Sequence, residues 1–327
     1  MLPDPTGHQV LVKMISTGVC QSQIYWAGQD RTQPMLFGHE GVGTVAAVGD
    51  QIQGLTVGDP VLVTWVPRKD DRSPVAGTAP LPDGREGLSP NIYTWGRHTL
   101  VDELFVVPIP ESAVTDEAAV IACAVLTGAG SVTRTADVQK GNSVAVIGIG
   151  GVGLSAVCAA RERGAAHVIA VDLSDEKLAF ARKFGATAGV NATTDDVPGR
   201  ILELTSGVDV VIDCVGREST IDQALRSLRR GRVGIERGGS VVLVGIPEKP
   251  VVLDAKLLIP NELSLVGSMG GSSDQGDVHQ YLDWAATGRL DLKTMVTNRY
   301  QLEDASKALD DLASGRVLGR SLLIMGD

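Results

Sequence analysis

Aromatic residues are scarce. Phe, Trp and Tyr together make up 4% of the 327 residues. A core of this size must be filled by aliphatic side chains, and the hydrophobic share is still 43%. Cysteine is sparse too: Cys20, Cys123, Cys158 and Cys214 are all there are. None has a close partner in sequence, which argues against a disulfide framework. A reducing, cytoplasmic setting, where thiols stay reduced, is the expectation. No apolar run reaches the ~18 residues of a membrane span, so no membrane partner is expected. The first residues show no basic stretch followed by an apolar one, so no signal peptide is expected. Positive charge is in deficit, with 29 Lys and Arg against 39 Asp and Glu and a net charge of −10. Phosphate backbones are held by basic patches, so nucleic acid is not an expected partner.

Glycine, by contrast, is abundant, at 39 residues. The length suits two domains better than one. The N-terminal third reads as short strands and turns: HQVLVKMIS, GVGTVAAVG, DPVLVTWVP and HTLVDELFVVPIP are Val-rich runs bounded by Gly, Asp and Pro. Between them, residues 67–96 are full of Pro, Gly, Asp and Arg and read as a long surface excursion with little regular structure. From Thr115, a candidate N-cap ahead of Asp116 and Glu117, the period becomes helical. Strands and helices then alternate from NSVAVIGIG to GSVVLVGI, the pattern of a parallel, doubly wound sheet. From about residue 270, two amphipathic helical stretches lead to a last strand, RSLLIM.

Gly148, Gly150 and Gly153 form G-x-G-x-x-G between a predicted strand and a predicted helix, with Gly151 and Val152 inside the loop. Gly148 suits the tight turn, Gly150 the close approach to a pyrophosphate, and Gly153 the packing of helix on strand. The helix N-terminus offers N–H groups and the positive dipole end to a diphosphate. Asp172 ends the following strand. A carboxylate there accepts hydrogen bonds from ribose hydroxyls and repels a 2′-phosphate, which favours NAD over NADP.

Three further residues sit in distinctive strings: Cys20 in GVCQS, His39 in GHEGVGTV and Cys123 in IACAVLTGAG. Two thiolates and one imidazole leave a tetrahedral zinc one open position, as a catalytic zinc requires. The spacing is no local zinc motif, so the assignment rests on the strings. In order and context they resemble the zinc-dependent alcohol dehydrogenases of the medium-chain dehydrogenase/reductase superfamily, from about Pro5 to Leu323. The resemblance implies an α/β protein with a GroES-like β-rich catalytic domain, residues 1–124 with 270–327 returning to it. A Rossmann NAD-binding domain would span residues 125–269. It implies one catalytic zinc on Cys20, His39 and Cys123, with Glu40 close by as an exchange ligand. Ser22 would take the alcohol proton, and Tyr25 stands where the family often relays it to solvent. Lys177, Arg320, Thr127, Val215, Gly245 and Ile246 fall at cofactor-contacting positions, Arg320 on the diphosphate. Trp65 and Trp95 fall where bulky aromatics line the substrate pocket, which points to a primary alcohol or aldehyde. Cys158 and Cys214 read as core packing.

The chain also departs from that pattern. Residues 67–96 lack the four clustered cysteines of the family's structural zinc, so no second zinc is expected. Gln23 replaces an acid that steadies the zinc histidine, which suggests weaker metal retention. Gln21 stands where some members place a basic residue on the diphosphate. The stretch before HQVLVKM is about a hairpin shorter than usual. A homodimer or homotetramer is expected, paired through the edge strand around LSLVGSM. Three alternatives stay open: an enzyme that keeps NAD permanently bound, a zinc-free NADPH-dependent double-bond reductase, and a non-catalytic NAD-binding redox sensor.

Overall fold

The computed structural model describes residues 2–89 and 91–326. The chain opens with β1 (Gln9–Val19), in which buried and half-exposed positions alternate before a fully buried end. Cys20 then caps α1 (Gln21–Ala27). β2 (Glu40–Val48), β3 (Pro60–Thr64), β4 (Gly77–Pro80), β5 (Glu86–Ser89), β6 (His98–Asp102) and β7 (Val106–Pro108) follow. Thr115 does precede a helix, the 3-10 helix Asp116–Ala122, but its side chain makes no cap bond. α2 (Ala124–Gly130) comes after Cys123.

Alternation then sets in. β8 (Ser143–Ile147), α3 (Gly151–Glu162), β9 (His167–Asp172), α4 (Asp175–Ala181), β10 (Ala188–Asn191) and α5 (Val197–Thr205) lead to β11 (Val210–Asp213). α6 (Glu218–Ser227), β12 (Ser240–Leu243), α7 (Ala255–Leu258) and β13 (Ser264–Gly267) complete it. The last part holds α8 (Gly276–Ala286), α9 (Leu292–Met295), β14 (Val296–Gln301), α10 (Ala305–Ala313) and β15 (Arg320–Ile324).

The chain divides into two compact units, residues 1–124 with 274–327 and residues 125–273. In the first, a seven-stranded sheet runs β14-β15-β1-β2-β3-β7, with β6 pairing to β1. Its core gathers Val10, Val12, Met14, Val61, Val63 and Phe105. In the second, six parallel strands run β10-β9-β8-β11-β12-β13, the doubly wound order. Helices cover both faces, so β8 reads SVAVI and is buried almost throughout.

The excursion is more ordered than its composition suggests. β4 and β5 pair as a hairpin inside residues 67–96. Arg72 anchors the approach to it by two bonds to the buried Asp102 carboxylate, at 2.6 and 2.7 Å. Asp102 also accepts from the N–H groups of Val75 and Leu104, at 3.0 and 2.9 Å. Next to it, Glu103 meets His8 at 2.6 Å, Arg72 at 3.3 Å and Arg68 at 3.5 Å. Burial works against the charged Asp102, but the Arg72 and backbone N–H bonds outweigh it and hold the carboxyl below its usual pKa. The contribution of that depressed pKa is therefore present above the unfolded-state value of about 3.9 and lost as pH falls through the lower native value.

Arg72→Met should leave a buried carboxylate short of its main partner. The expected cost is about 2 kcal/mol, or roughly 30-fold faster amide exchange, if opening is local. Hydrogen exchange read by mass spectrometry across Gly77–Ser89 checks this, and the same segment should loosen in wild-type protein in acid, below the usual carboxylate range.

Candidate active site

Sheet register brings distant residues together in the first unit. β1 pairs with β2 on one side and β15 on the other, with Thr17 opposite Gly41 and Val19 opposite Ser321. Cys20, His39, Glu40 and Arg320 therefore meet at one end of three neighbouring strands. Cys123 arrives from the 3-10 helix packed beneath them. Among the described residues, Cys20, His39, Glu40 and Cys123 offer ligand atoms that all lie within 4.8 Å of one another. Glycine makes the room: a Cβ on Gly18 would run into the Glu40 carboxyl, and Gly38 turns the chain at φ +91 just before His39.

The cluster is electrostatically tense. The Cys20 thiol is held well below its usual value by the hydrogen bond from Cys123, and then by His39, against burial. Cys123, donor to that thiolate and buried, is pushed well above. Burial opposes a charged His39, yet the hydrogen bond and charge of Cys20 and the charge of Glu40 raise its pKa. Burial raises Glu40, and the Arg320 charge works the other way. Arg320 itself is buried and ion-paired to Glu40 Oε1.

Six buried side-chain polar atoms lack a hydrogen-bond partner among the described residues: Ser22 Oγ, Gln23 Nε2, Glu40 Oε2, Trp65 Nε1, Arg320 Nε and Ser321 Oγ. Glu40 belongs to the cluster, Gln23, Trp65 and Arg320 are bonded to its residues, Ser22 is two residues from Cys20, and Ser321 follows Arg320. Buried polar groups without partners are rare, and their concentration at one place marks a site built for something more than protein. Thiols, an imidazole and a carboxylate at this range are the donor set of zinc, so the residues present fit the expected metal.

The other predicted residues of this unit have definite places. Ser22 and Tyr25 lie on α1, with Tyr25 54% exposed and edge-on to Trp26. Trp65 donates its backbone N–H to the His39 carbonyl at 3.1 Å. Trp95 donates its indole N–H to the Gly18 carbonyl at 3.2 Å. Both tryptophans are partly buried and pack on the core. Arg320, read as a diphosphate contact, finds its partner in Glu40. Gln23 corrects an expectation: its carbonyl accepts from Cys20 N–H at 2.6 Å, so it caps α1 and steadies Cys20 rather than His39.

The glycine loop lies in the second unit. Gly148 has φ +88, and a Cβ on Gly153 would strike the Gly148 carbonyl. No atom stands within 4 Å of where a Cβ on Gly150 would be, an open cradle at the N-terminus of α3. Gly151, Val152 and Gly153 open that helix, where backbone N–H groups lack intrahelical partners. Asp172 braces the loop: one oxygen accepts from Ile149 N–H at 2.7 Å, the other from Leu173 and Ser174 at 2.8 and 3.1 Å. Val215 packs against Gly148, and Gly216 and Gly245 approach so closely that neither admits a Cβ. Ile246 is 71% exposed, Lys177 N–H bonds the Ser174 hydroxyl at 3.4 Å, and Thr127 is half-buried on α2. Burial raises the thiols of Cys158, to about 11, and of Cys214.

Sequence reasoning missed several residues. Asp213, fully buried at the end of β11, accepts from Val215 N–H, Gly216 N–H and the Thr220 hydroxyl at 2.9, 3.1 and 2.9 Å. A carboxylate inside the apolar run VVIDCVG was the available signal. Thr17, Thr64 and Thr94 bond backbone carbonyls at the metal cluster and leave no pattern in sequence.

Arg320→Met should strand Glu40 as a buried, unpaired charge and destabilise metal-free protein by about 3–5 kcal/mol. Adding Glu40→Gln should recover most of the loss. Urea unfolding of the single and double variants, followed by tryptophan fluorescence, checks both expectations.

Comparison with known proteins bears on the same two units. Residues 6–111 match the family model described as alcohol dehydrogenase GroES-like domain, and residues 151–287 the one described as zinc-binding dehydrogenase. The S-(hydroxymethyl)glutathione dehydrogenase of Candida maltosa is 31% identical over 95% of this chain and 89% of its own length. Alcohol dehydrogenase-like 5 of Arabidopsis thaliana is 30% identical over 96% of this chain and 88% of its own. The structure of an alcohol dehydrogenase zinc-binding domain protein from Burkholderia ambifaria superposes with a TM-score of 0.87 at 27% identity, covering 100% of this chain and 94% of that one. The chain belongs to the zinc-binding alcohol dehydrogenases of the medium-chain dehydrogenase/reductase superfamily, and is a zinc-dependent oxidoreductase acting on alcohols with a nicotinamide nucleotide.

Proposed function

We propose that the chain interconverts a primary alcohol and its aldehyde with NAD, using one zinc held by Cys20, His39 and Cys123. The observation that carries this reading is the coincidence of the donor set with all six orphaned polar atoms. The relatives named for an S-(hydroxymethyl) substrate support the primary alcohol. So do Trp65 and Trp95, two bulky residues tied to the ligand-bearing segments, Trp65 by its backbone N–H to His39 and Trp95 by its indole to Gly18.

When bound, zinc supplies Lewis-acid polarisation of the substrate oxygen, and NAD supplies the hydride acceptor. The protein's own groups do the rest. Ser22, on the first turn of α1 beside Cys20, takes up the alcohol proton through an oxygen with no competing partner. Tyr25, one turn on and exposed, passes it to water through its hydroxyl. Glu40 rests on Arg320 and keeps its second oxygen available as a reserve ligand. Gly148, Gly150, Gly151, Val152 and Gly153 hold the diphosphate. Asp172 takes the ribose hydroxyls, its carboxylate repelling a 2′-phosphate. Thr127, Lys177, Val215, Gly245 and Ile246 complete the cofactor contacts. In this reading the first unit is the catalytic domain and the second the NAD-binding domain. Two copies pair through β13, the last strand of the parallel sheet, on which Val266 is 41% exposed.

Protein purified without chelator should carry one zinc per chain by elemental analysis, and Cys123→Ser close to none. Two zincs per chain in wild type would mean that a second site has been missed. With a panel of primary alcohols, kcat/KM should favour NAD over NADP by about 100-fold, the scale of an unrelieved like-charge contact. Equal use of both cofactors would remove the role given to Asp172.

A further inference from the structure

Each metal-ligand segment is pinned through its backbone by a neutral side chain. Gln23 holds the N–H of Cys20. Thr17 donates to the Glu40 carbonyl at 2.6 Å and is itself bonded to Thr94 at 2.6 Å. Thr64 donates to the carbonyl of Ala122, the residue before Cys123, at 2.6 Å.

The third clamp stands apart. Thr64 ends β3, directly opposite Glu40 in the β2–β3 register. It is fully buried. Its oxygen also accepts from Val66 N–H at 3.3 Å, so its own proton is directed to Ala122. Ala122 is the last residue of a 3-10 helix, and carbonyls at a helix end have no partner within the helix. Cys123 then leaves helical geometry altogether, at φ −141 and ψ −64. One residue later the chain passes into the second unit. The ligand thus sits on an irregular link, with regular backbone on its N-terminal side ended by the Thr64 bond.

We infer that Thr64 is a positioning residue for the metal: its hydroxyl fixes the carbonyl of Ala122 so that the Cys123 sulfur is held ready for zinc. This rests on the zinc reading above. Loss of partners that orient ligands typically costs 10–100-fold in metal affinity. Ser16 provides a matched control. Its hydroxyl bonds the carbonyl of Asp116 at 2.7 Å, the first residue of the same 3-10 helix, at the end away from Cys123.

The test is zinc release from full-length, zinc-loaded protein into excess 4-(2-pyridylazo)resorcinol, read by absorbance and independent of turnover. Thr64→Val should release zinc about 10-fold faster or more than wild type. Thr64→Ala should do the same, and serves if the valine variant fails to fold. Thr64→Ser, which restores the hydroxyl, and Ser16→Ala should stay near wild type. Unchanged release from Thr64→Val and Thr64→Ala would overturn the inference. So would equal acceleration by Ser16→Ala, which would assign the effect to the helix as a whole. Wild-type protein that takes up no zinc would instead overturn the zinc reading, and the clamp with it.

Discussion

The buried pair of Glu40 and Arg320 is the interaction on which the site depends. Two sulfurs and a carboxylate are drawn together in a place with little water, where an unbalanced negative charge is costly. Arg320 is the cation that makes the gathering tolerable. It acts on all of it: the charges of Glu40, Cys20 and Cys123 together push its pKa up in spite of burial. The pair also joins β2 to β15, the two strands that flank β1, so charge balance and sheet geometry are the same constraint. Gly18 lies on β1 between them and has no side chain because the carboxyl occupies that space.

Around this charged centre the supporting bonds are neutral. An amide and three hydroxyls hold the backbone of the ligand segments. Neutral supports fix position without adding to the negative charge the metal must balance. The second unit solves a related problem in a different way. There Asp172 and Asp213, at the ends of β9 and β11, accept backbone N–H groups and hold two glycine-bearing loops in shape. Carboxylates are suited to that task because they have lone pairs for several donors at once.

Much of this was legible in the sequence, for identifiable reasons. The parallel sheet announced itself through apolar runs alternating with helical periods, and the glycine loop through its place between strand and helix. Cys20, His39 and Cys123 were found through the strings around them and not through their spacing, because the sheet and not a local turn assembles them. The elements missed were those with weak local signals. α1 has seven residues and a cysteine at its cap, where Ser, Thr, Asp or Asn would have marked it. β14, VTNRYQ, has one face half-exposed and the other polar. The β4–β5 hairpin is built from residues that usually mean loop, and its order comes from Arg72 reaching an acid on β6. Arg320 read as a diphosphate-binding arginine, and only the register of β15 beside β1 turns it inward.

The first unit is discontinuous: residues 125–273 intervene before its last strands. As the chain is synthesised, Cys20, His39, Glu40 and Cys123 all emerge before residue 124, but Arg320 comes almost two hundred residues later. The second unit, continuous in sequence, is free to fold in the interval, as domains generally do when complete. Until then the two sulfurs and the Glu40 carboxylate are without the Arg320 counter-charge. A nascent chain stalled anywhere in the second unit would therefore expose two unprotected thiols, and the arrival of β15 closes the site from the far side.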